Sequence, residues 1–405
     1  MDKKMVPKVR FKGFSDDWEL RKLGTLYKIN RERNLIGITK DKTISISSMS
    51  FNTSGNNANI SSIPNYKVLR IGDLAYEGHT NRSFSFGRFV LNDIGTGIMS
   101  PRFSSLRPIK NMNVNYWKHY IHYEPIMKYI LVKSTKRGTM MNELVSNDLF
   151  KQQIHVPSDM EQNKIGQLLN LLDISINLQQ RQLDLYTKLK KGLLQKLFPK
   201  DGEKVPEIRL ADFTGNWEQH KLGELGKIQS GVGFPETEQG GTSGVPFFKI
   251  SDMNKKGNEY EMISANNYVS KEQIIRKKWK PIKNVPAIIF AKVGAAIMLN
   301  RKRLVLSTFL IDNNIMAYAF DNSWSAGFGK ALFDNIYLPK YAQIGALPSY
   351  NGMDIKNIEI TIPGKQEQIQ MNKLFSQLNK IITLQQNKIN ELRILKKYLL
   401  QKLFI

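Results

Sequence analysis

The chain has 405 residues, of which 41% are hydrophobic and 10% aromatic, so it can bury sizeable cores and is not disordered as a whole. Lys and Arg number 60 against 35 Asp and Glu, and this net charge of +25 favours a polyanionic partner over a merely soluble basic protein. The sequence has no cysteine, which excludes disulfides, thiolate metal sites and a cysteine nucleophile.

The N-terminal residues 1–7 lack the apolar segment of a signal peptide. The longest apolar run, around residues 287–299, is interrupted by Lys292 and is too short to cross a bilayer. We therefore expect a cytoplasmic protein with no membrane partner.

An internal duplication organises the chain. Residues 7–26 recur at 206–225 with nine of 20 positions identical, including Trp18/Trp217, and we call these two segments the first and second anchors. Residues 154–198 recur at 360–404 with 19 of 45 positions identical, and both copies end in Leu-Leu-Gln-Lys-Leu-Phe. Between the repeats, residues 27–153 and 226–359 show almost no mutual similarity.

The longer repeat predicts two long helices. Apolar residues recur at steps of three and four from Ile165 to Leu197 and again from Met371 to Leu403. Ser158 and Glu161 form a capping-box pattern at the first start, and Pro199 ends the first helix. About 40 residues correspond to about 60 Å of helix, and the long apolar stripe requires a second long helix as partner. The duplication favours antiparallel pairing with pseudo-twofold symmetry over two helices that each lie on their own domain.

The two variable regions read as mixed α/β structure, with strands at 43–46, 285–290 and 358–362. The predicted fold class is therefore α/β, with two globular domains separated by two long helices that form an antiparallel coiled coil. The predicted segments are listed in chain order: a first domain at 1–157, a helix at 158–198, a linker at 199–205, a second domain at 206–363 and a helix at 364–405.

This order of segments resembles the specificity subunit of Type I restriction–modification systems. The matching motifs are Trp-Glu-x-x-Lys-Leu-Gly at 18–24 and 217–223, Ile-x-x-Pro-x-x-x-Glu-Gln at 154–162 and 360–368, and the two repeated helix ends. The resemblance implies that each variable region is a target-recognition domain for one half of a split double-stranded DNA sequence. It also implies that the helices set the spacer and dock two modification subunits, which a restriction subunit can join.

The resemblance further implies that this chain is not an enzyme and holds no cofactor or metal. S-adenosylmethionine, ATP and Mg²⁺ are expected on the partner subunits. The residues agree, because the chain has no Pro-Pro dipeptide for an adenine-methyltransferase motif, no Walker A loop and no evident nuclease core. An architectural DNA-bridging protein without sequence preference is the alternative, but it does not explain why the domains diverge while anchors and helices stay alike.

Basic and amide side chains in the variable regions are the candidates for DNA contact, because Lys and Arg neutralise phosphates and side-chain hydrogen bonds read base edges. Residues 271–303 hold ten basic side chains against Glu272. Arg107 and the pair Asn56-Asn57 add to the first region. The DNA-binding candidates are Asn81, Arg82, Arg88, Arg102, Lys136, Arg137, Lys249, Ser251, Lys277, Lys278, Lys292, Arg301, Lys302 and Arg303.

The repeated helix ends are the predicted partner interface, although Leu193 and Leu197 also fit a coiled-coil core. The partner-binding candidates are Lys190, Lys191, Gln195, Lys396, Lys397 and Gln401. His119, His122 and Glu124 have a spacing that a metal site could use, but no further ligand is legible nearby, which favours a structural role. The two repeated tryptophans are expected to pack rather than to stack on bases.

Overall fold

The computed structural model describes residues 6–52, 59–200, 202–343, 345 and 347–404. It contains two compact units, one of Met1–Gln180 with Lys388–Ile405 and one of Arg181–Asn387. The division falls within the two long helices, so each unit combines one variable region with parts of both helices. The domain limits read from the sequence stay a prediction.

The first unit is mixed α/β. Its strands are β1 (Glu19–Lys22), β2 (Tyr27–Ile29), β3 (Ile44–Ser45), β4 (Ser50–Phe51), β5 (Lys67–Leu69), β6 (Leu74–Glu77), β7 (Arg88–Leu91), β8 (Gly97–Met99), β9 (Ser104–Pro108), β10 (Thr135–Lys136), β11 (Glu143–Leu144) and β12 (Gln153–Val156). Its helices are α1 (Leu23–Leu26), α2 (Val114–Tyr120), α3 (Glu124–Leu131), α4 (Ser146–Lys151) and the start of α5 (Asp159–Lys196).

A four-stranded antiparallel sheet of order β2-β9-β6-β7 forms the centre of the first unit. One face buries Tyr27, Tyr76 and Phe89 against Trp117 of α2, so aromatic rings fill the space between sheet and helix. Strands β1 and β12 pair separately and bring the end of the variable region back to the first anchor.

The second unit is also mixed α/β. Its strands are β13 (Glu218–Lys221), β14 (Gly226–Ser230), β15 (Val245–Phe248), β16 (Tyr268–Val269), β17 (Ala287–Ala291), β18 (Lys302–Val305), β19 (Leu310–Ile311), β20 (Ile315–Phe320) and β21 (Glu359–Ile362). Its helices are the end of α5, α6 (Lys271–Arg276), α7 (Ala326–Asn335), α8 (Gly352–Lys356) and the start of α9 (Lys365–Leu403).

The central sheet of the second unit has the order β14-β20-β17-β18, again antiparallel throughout. Strand for strand this is the topology of the first unit, and β13 pairs β21 as β1 pairs β12. The smaller sheets differ, because β15 pairs β19 in parallel whereas β5 pairs β8 antiparallel. Two regions without recognisable sequence similarity therefore share one framework, since many apolar patterns satisfy the same sheet.

The long helices pair antiparallel within each unit, as predicted. In the first unit Lys396 forms an ion pair with Asp173, and Arg393 donates to Gln180. In the second unit Gln385 donates to Gln182 at 3.3 Å. Helices α5 and α9 have 38 and 39 residues, about 57 Å each at 1.5 Å per residue.

The repeated helix ends are buried in the cores. Leu403 and Phe404 at the end of α9 pack in the first unit, where the Phe404 ring meets Tyr116 and Tyr120. At the end of α5, Phe198 packs against Trp217 in the second unit. The variable region of each repeat is thus completed by the helix end of the other repeat.

The repeated anchors fasten the helix starts. Arg10 donates two hydrogen bonds to the buried Glu161 carboxylate at 2.7 and 2.8 Å, and the Trp18 Nε1–H donates at 3.2 Å. Arg209 repeats the bidentate contact with Glu367 at 2.9 and 2.8 Å. These ion pairs explain why Arg and Glu recur in both copies.

The predicted capping box at the start of α5 is only half formed. Ser158 Oγ accepts the Glu161 backbone N–H at 3.4 Å. The Glu161 carboxylate does not return the bond, because Arg10 and Trp18 occupy it. The long-range ion pair prevails over the local cap.

Candidate nucleic-acid interface

The loop between β6 and β7, residues 78–87, carries two of the first-region candidates, and a third directly follows it. Asn81 and Arg82 are exposed, and Asn81 Oδ1 accepts the backbone N–H groups of Ser83 and Phe84 at 2.8 and 3.1 Å. Asn81 therefore shapes the turn, while Arg82 extends from it. Arg88 begins β7, where its guanidinium pairs with Glu77 at 2.6 Å and covers the Phe84 ring.

A cavity of about 460 Å³ lies beside this loop in the first unit. Arg102 is exposed on its lining, and its guanidinium stacks on the Phe103 ring with 4.8 Å between group and ring centre. The lining is mainly polar and consists of Ile44, Ser45, Ile46, Ser47, Tyr66, Glu77, His79, Ser100, Arg102 and Phe103.

Lys136 and Arg137 are exposed on the β10–β11 hairpin, and Lys136 pairs with Glu143 at 3.1 Å. The same hairpin supports the 78–87 loop, because the Asn142 N–H donates to the Gly78 carbonyl at 3.0 Å. The structure thus places the six first-region candidates in or beside the 78–87 loop.

The sequence also suggested Arg107 and the pair Asn56-Asn57 for the first region. Arg107 lies in an internal network, with hydrogen bonds to Asp73 and Glu32. The carboxylates raise the pKa of Arg107, and the hydrogen bond from Arg70 lowers the pKa of Glu32. Arg107 therefore has a structural role within this network. Asn56-Asn57 lies outside the described residues.

Three candidates of the second region contact polar side chains of nearby loops. Lys277, at the end of α6, pairs with Glu238 at 3.3 Å, and Lys249 Nζ donates to the neighbouring Gln239 at 3.2 Å. Arg301 contacts the Asn254 side chain in the turn that follows Lys249. Ser251 and Lys278 are exposed, and Lys292 is half-buried.

The cluster at 271–303 is not one exposed patch, and Lys302 is a wrong prediction. Lys302 is only 2% exposed, and its ammonium donates to the Ile336 carbonyl at 2.7 Å. Burial lowers the pKa of Lys302 to about 8. Arg303 is half-buried and donates to the Lys302 and Met253 carbonyls. Successive side chains of β18 point to opposite faces of the strand, so Lys302 lies in the interior while Arg303 is half-buried on the other face, which a charge count cannot reveal.

Two of the six partner candidates lie beside a carboxylate. Lys396 forms an ion pair with Asp173, and Lys190 lies 3.9 Å from Asp334. The remaining four are exposed near the helix ends: Lys191, Gln195, Lys397 and Gln401.

Sequence reasoning missed exposed leucines at positions that the duplication repeats. Leu178 and Leu189 of α5 correspond to Leu384 and Leu395 of α9, and all four side chains are between 44% and 58% exposed. The signal was present, because these leucines are identical in both copies. Their periodicity alone assigns them equally well to a coiled-coil core.

The two histidines do not form a metal site. His119 is buried 3.3 Å from Asp173, whereas His122 Nδ1 lies 3.1 Å from the Phe89 carbonyl. Burial lowers the pKa of both, that of His119 to about 3, with a further contribution from the Lys396 charge. Glu124 accepts the Ser85 N–H. Across the described ranges no group of three or more His, Asp or Glu is arranged to hold a metal, and no helix there could span a membrane.

Comparison with known proteins agrees with the motifs. A family model described as the Type I restriction modification DNA specificity domain matches residues 214–393. A Methanocaldococcus jannaschii protein assigned as the specificity subunit of type I restriction enzyme MjaX is 26% identical over 257 residues, 58% of this chain and 59% of that protein. The MjaVIII specificity subunit of the same organism is 26% identical over 208 residues, 45% of this chain and 49% of its own length. The chain thus aligns with about half the length of the curated relatives it matches.

Solved structures show the same fold. The S subunit of a Type I restriction–modification system from M. genitalium superposes with a TM-score of 0.64 at 15% identity, over 99% of both chains. A chain from a structural study of complex assembly and conformational transition of the type I system gives 0.53 at 18% identity, over 96% of this chain and 97% of that one. The resemblance read from the sequence is thereby confirmed: residues 214–393 match the specificity-domain family model, and the chain shares the fold of these S subunits.

Proposed function

We propose that the chain is the sequence-specific DNA-binding subunit of a Type I restriction–modification complex, with each recognition domain reading one half of a bipartite target. One observation carries this proposal: two domains share a sheet topology and have unrelated sequences, while anchors and helices are repeated. A constant frame with divergent readers suits a target of two different halves. The net charge of +25 supplies the attraction to duplex phosphates.

The helices carry the second part of the proposal. They set the spacing between half-sites and dock two copies of the modification subunit. The exposed pairs Leu178/Leu384 and Leu189/Leu395 support this, because the duplication presents the same apolar positions twice. Equivalent exposed leucines in both helices suit two copies of one partner, because exposed apolar side chains occur at protein interfaces. Lys191/Lys397 and Gln195/Gln401 would lie at the margin of each copy.

The chemistry belongs to the partners in this proposal. The modification subunits bring S-adenosylmethionine, and the restriction subunits bring ATP and Mg²⁺, whereas this chain binds and positions DNA without catalysis. Its work on cellular DNA would place the complex in the cytoplasm.

The test is to produce the chain with a modification subunit and to sequence the methylated DNA. A split motif supports the proposal, and replacing residues 27–153 with another first recognition region should change one half only. Band shifts against random competitor DNA separate the architectural alternative. Binding without sequence preference, or a change of both halves together, would overturn the proposal.

A further inference from the structure

One connection between strands has the same length in both central sheets. The loop from β6 to β7 spans residues 78–87 and the loop from β17 to β18 spans residues 292–301, ten residues in each case. The other connections differ: β2 to β6 has 44 residues against 56 from β14 to β17, and β7 to β9 has 12 against nine from β18 to β20. The hairpins are therefore equivalent in position and size.

Each loop is held by one backbone hydrogen bond to a later segment and by one asparagine side chain. Gly78 accepts the Asn142 N–H at 3.0 Å, and the Gly294 N–H donates to Pro348 at 2.8 Å, so each loop rests on the segment beyond the sheet. An asparagine fixes each one: Asn81 caps its own turn, and Asn300 Oδ1 accepts the Leu338 N–H at 3.2 Å. Preorganised loops lose little conformational entropy on binding.

The exposed side chains of the loops differ in chemistry. In 78–87 they are His79, Thr80, Asn81, Arg82, Ser83 and Ser85, all of which donate or accept hydrogen bonds. The polar cavity containing Arg102 and His79 adjoins this loop. In 292–301 two large apolar side chains, Met298 and Leu299, are instead more than half exposed, and the half-buried Lys292 and Arg301 stand at the two ends of the loop.

We propose that these equivalent hairpin loops are the half-site-reading elements, the first reading base edges by hydrogen bonds through Arg82 and the second reading thymine methyl groups through Met298 and Leu299. The inference rests on the proposed function and assigns its specificity. Arginine donates in a fork to guanine in the major groove, and apolar side chains contact the thymine methyl. Basic neighbours hold each loop against the phosphates.

The experiment uses the whole chain in complex with its modification subunit. Methylated motifs and affinities for specific and random duplexes are measured for R82A, R82K and the double variant M298S/L299S. The matched controls are R31A, an exposed arginine after β2 at the opposite edge of the first sheet, and I263S, an exposed isoleucine outside the second loop.

We expect R82A and R82K both to relax the first half-site and to reduce the specific-to-random affinity ratio about tenfold or more. The lysine variant keeps the charge, so a base contact predicts a relaxed motif with an unchanged salt slope. M298S/L299S should relax only A·T positions of the second half-site, and both controls should retain the motif. An unchanged motif in the loop variants, while wild type reads a split sequence, overturns the inference. Absence of any split motif in wild type contradicts the proposed function instead.

Discussion

The duplicated tryptophans provide a matched experiment on the anchors. Trp18 and Trp217 are 3% and 2% exposed, so replacement by Phe removes similar buried ring surface at both sites. Their polar atoms differ. The Trp18 N–H donates to the Glu161 carboxylate at 3.2 Å, whereas the Trp217 N–H is buried and meets no acceptor among the described residues.

This difference in hydrogen bonding determines how much more the Phe substitution should destabilise the first unit than the second. A hydrogen bond to a charged group contributes about 1.5–3 kcal/mol, and removing an unsatisfied buried donor relieves about 1 kcal/mol or more. We therefore expect W18F to destabilise its unit by about 2–3 kcal/mol more than W217F destabilises the other. Arg10 still holds the carboxylate in W18F, which keeps the loss below that of a fully broken buried ion pair.

Peptide-resolved hydrogen exchange is the suitable assay, because a chain with two units need not unfold in two states. The reporters are β1 with β12 for Trp18 and β13 with β21 for Trp217, since each tryptophan directly precedes its strand pair. The expected difference corresponds to an excess of about 30- to 150-fold in exchange rate at β1 and β12. Equal acceleration in the two strand pairs would refute the assignment of the Trp18 hydrogen bond.

Four further outcomes follow from the contacts. F404A should destabilise the first unit by about 3–5 kcal/mol and leave exchange in the second unit unchanged, since Phe404 packs on Tyr116 and Tyr120. Burial lowers the pKa of His119 to about 3, so the unfolded state binds the proton first, and this group should lower the free energy of unfolding of its unit by up to about 1.4 kcal/mol per pH unit below 6.5. H119Q, followed by exchange between pH 4 and 7, should remove this contribution and leave that of His122, whose pKa burial also lowers. K277A/K278A should reduce the slope of log affinity against log salt by up to about 2, whereas K302M, being buried, should leave it unchanged in a binding titration. One heptad added to both long helices extends each by about 10 Å, near three base pairs, so methylome sequencing should show a longer spacer; full activity on the original spacing by an assembled variant contradicts a rigid ruler.

The helices were accessible from sequence because their signal is local and repeated. Apolar residues recur at steps of three and four from Ile165 to Leu197, and all but Leu197 lie in a helix that the structure gives as Asp159–Lys196. Their antiparallel pairing followed from the duplication, since a long apolar stripe needs a partner of equal length. The predicted capping box is incomplete at Glu161, because its carboxylate binds Arg10, 151 residues away in the chain.

The common framework of the variable regions was not accessible. Their strands hold two to six residues and pair across long separations, as β2 does with β9, and strand patterns this short specify no topology. The prediction that Lys302, in the basic run at 301–303, contacts DNA was wrong for a related reason. Whether Lys302 faces solvent depends on which face of β18 the protein covers. The Ile336 carbonyl that accepts the Lys302 hydrogen bond is 34 residues away in the chain.

The exchange of helix ends explains why the same Leu-Phe pair closes both copies of the repeat. Phe404 fills a core built by the first variable region, and Phe198 fills one built by the second. A cut at the linker after residue 198 would therefore separate each core from the helix end that completes it. Because the two ends are identical from Leu193 to Phe198 and from Leu399 to Phe404, each core must accept the same six residues. That requirement constrains the anchors and the helix starts to stay alike, while the far edges of the sheets, including the 78–87 and 292–301 loops, are free to diverge.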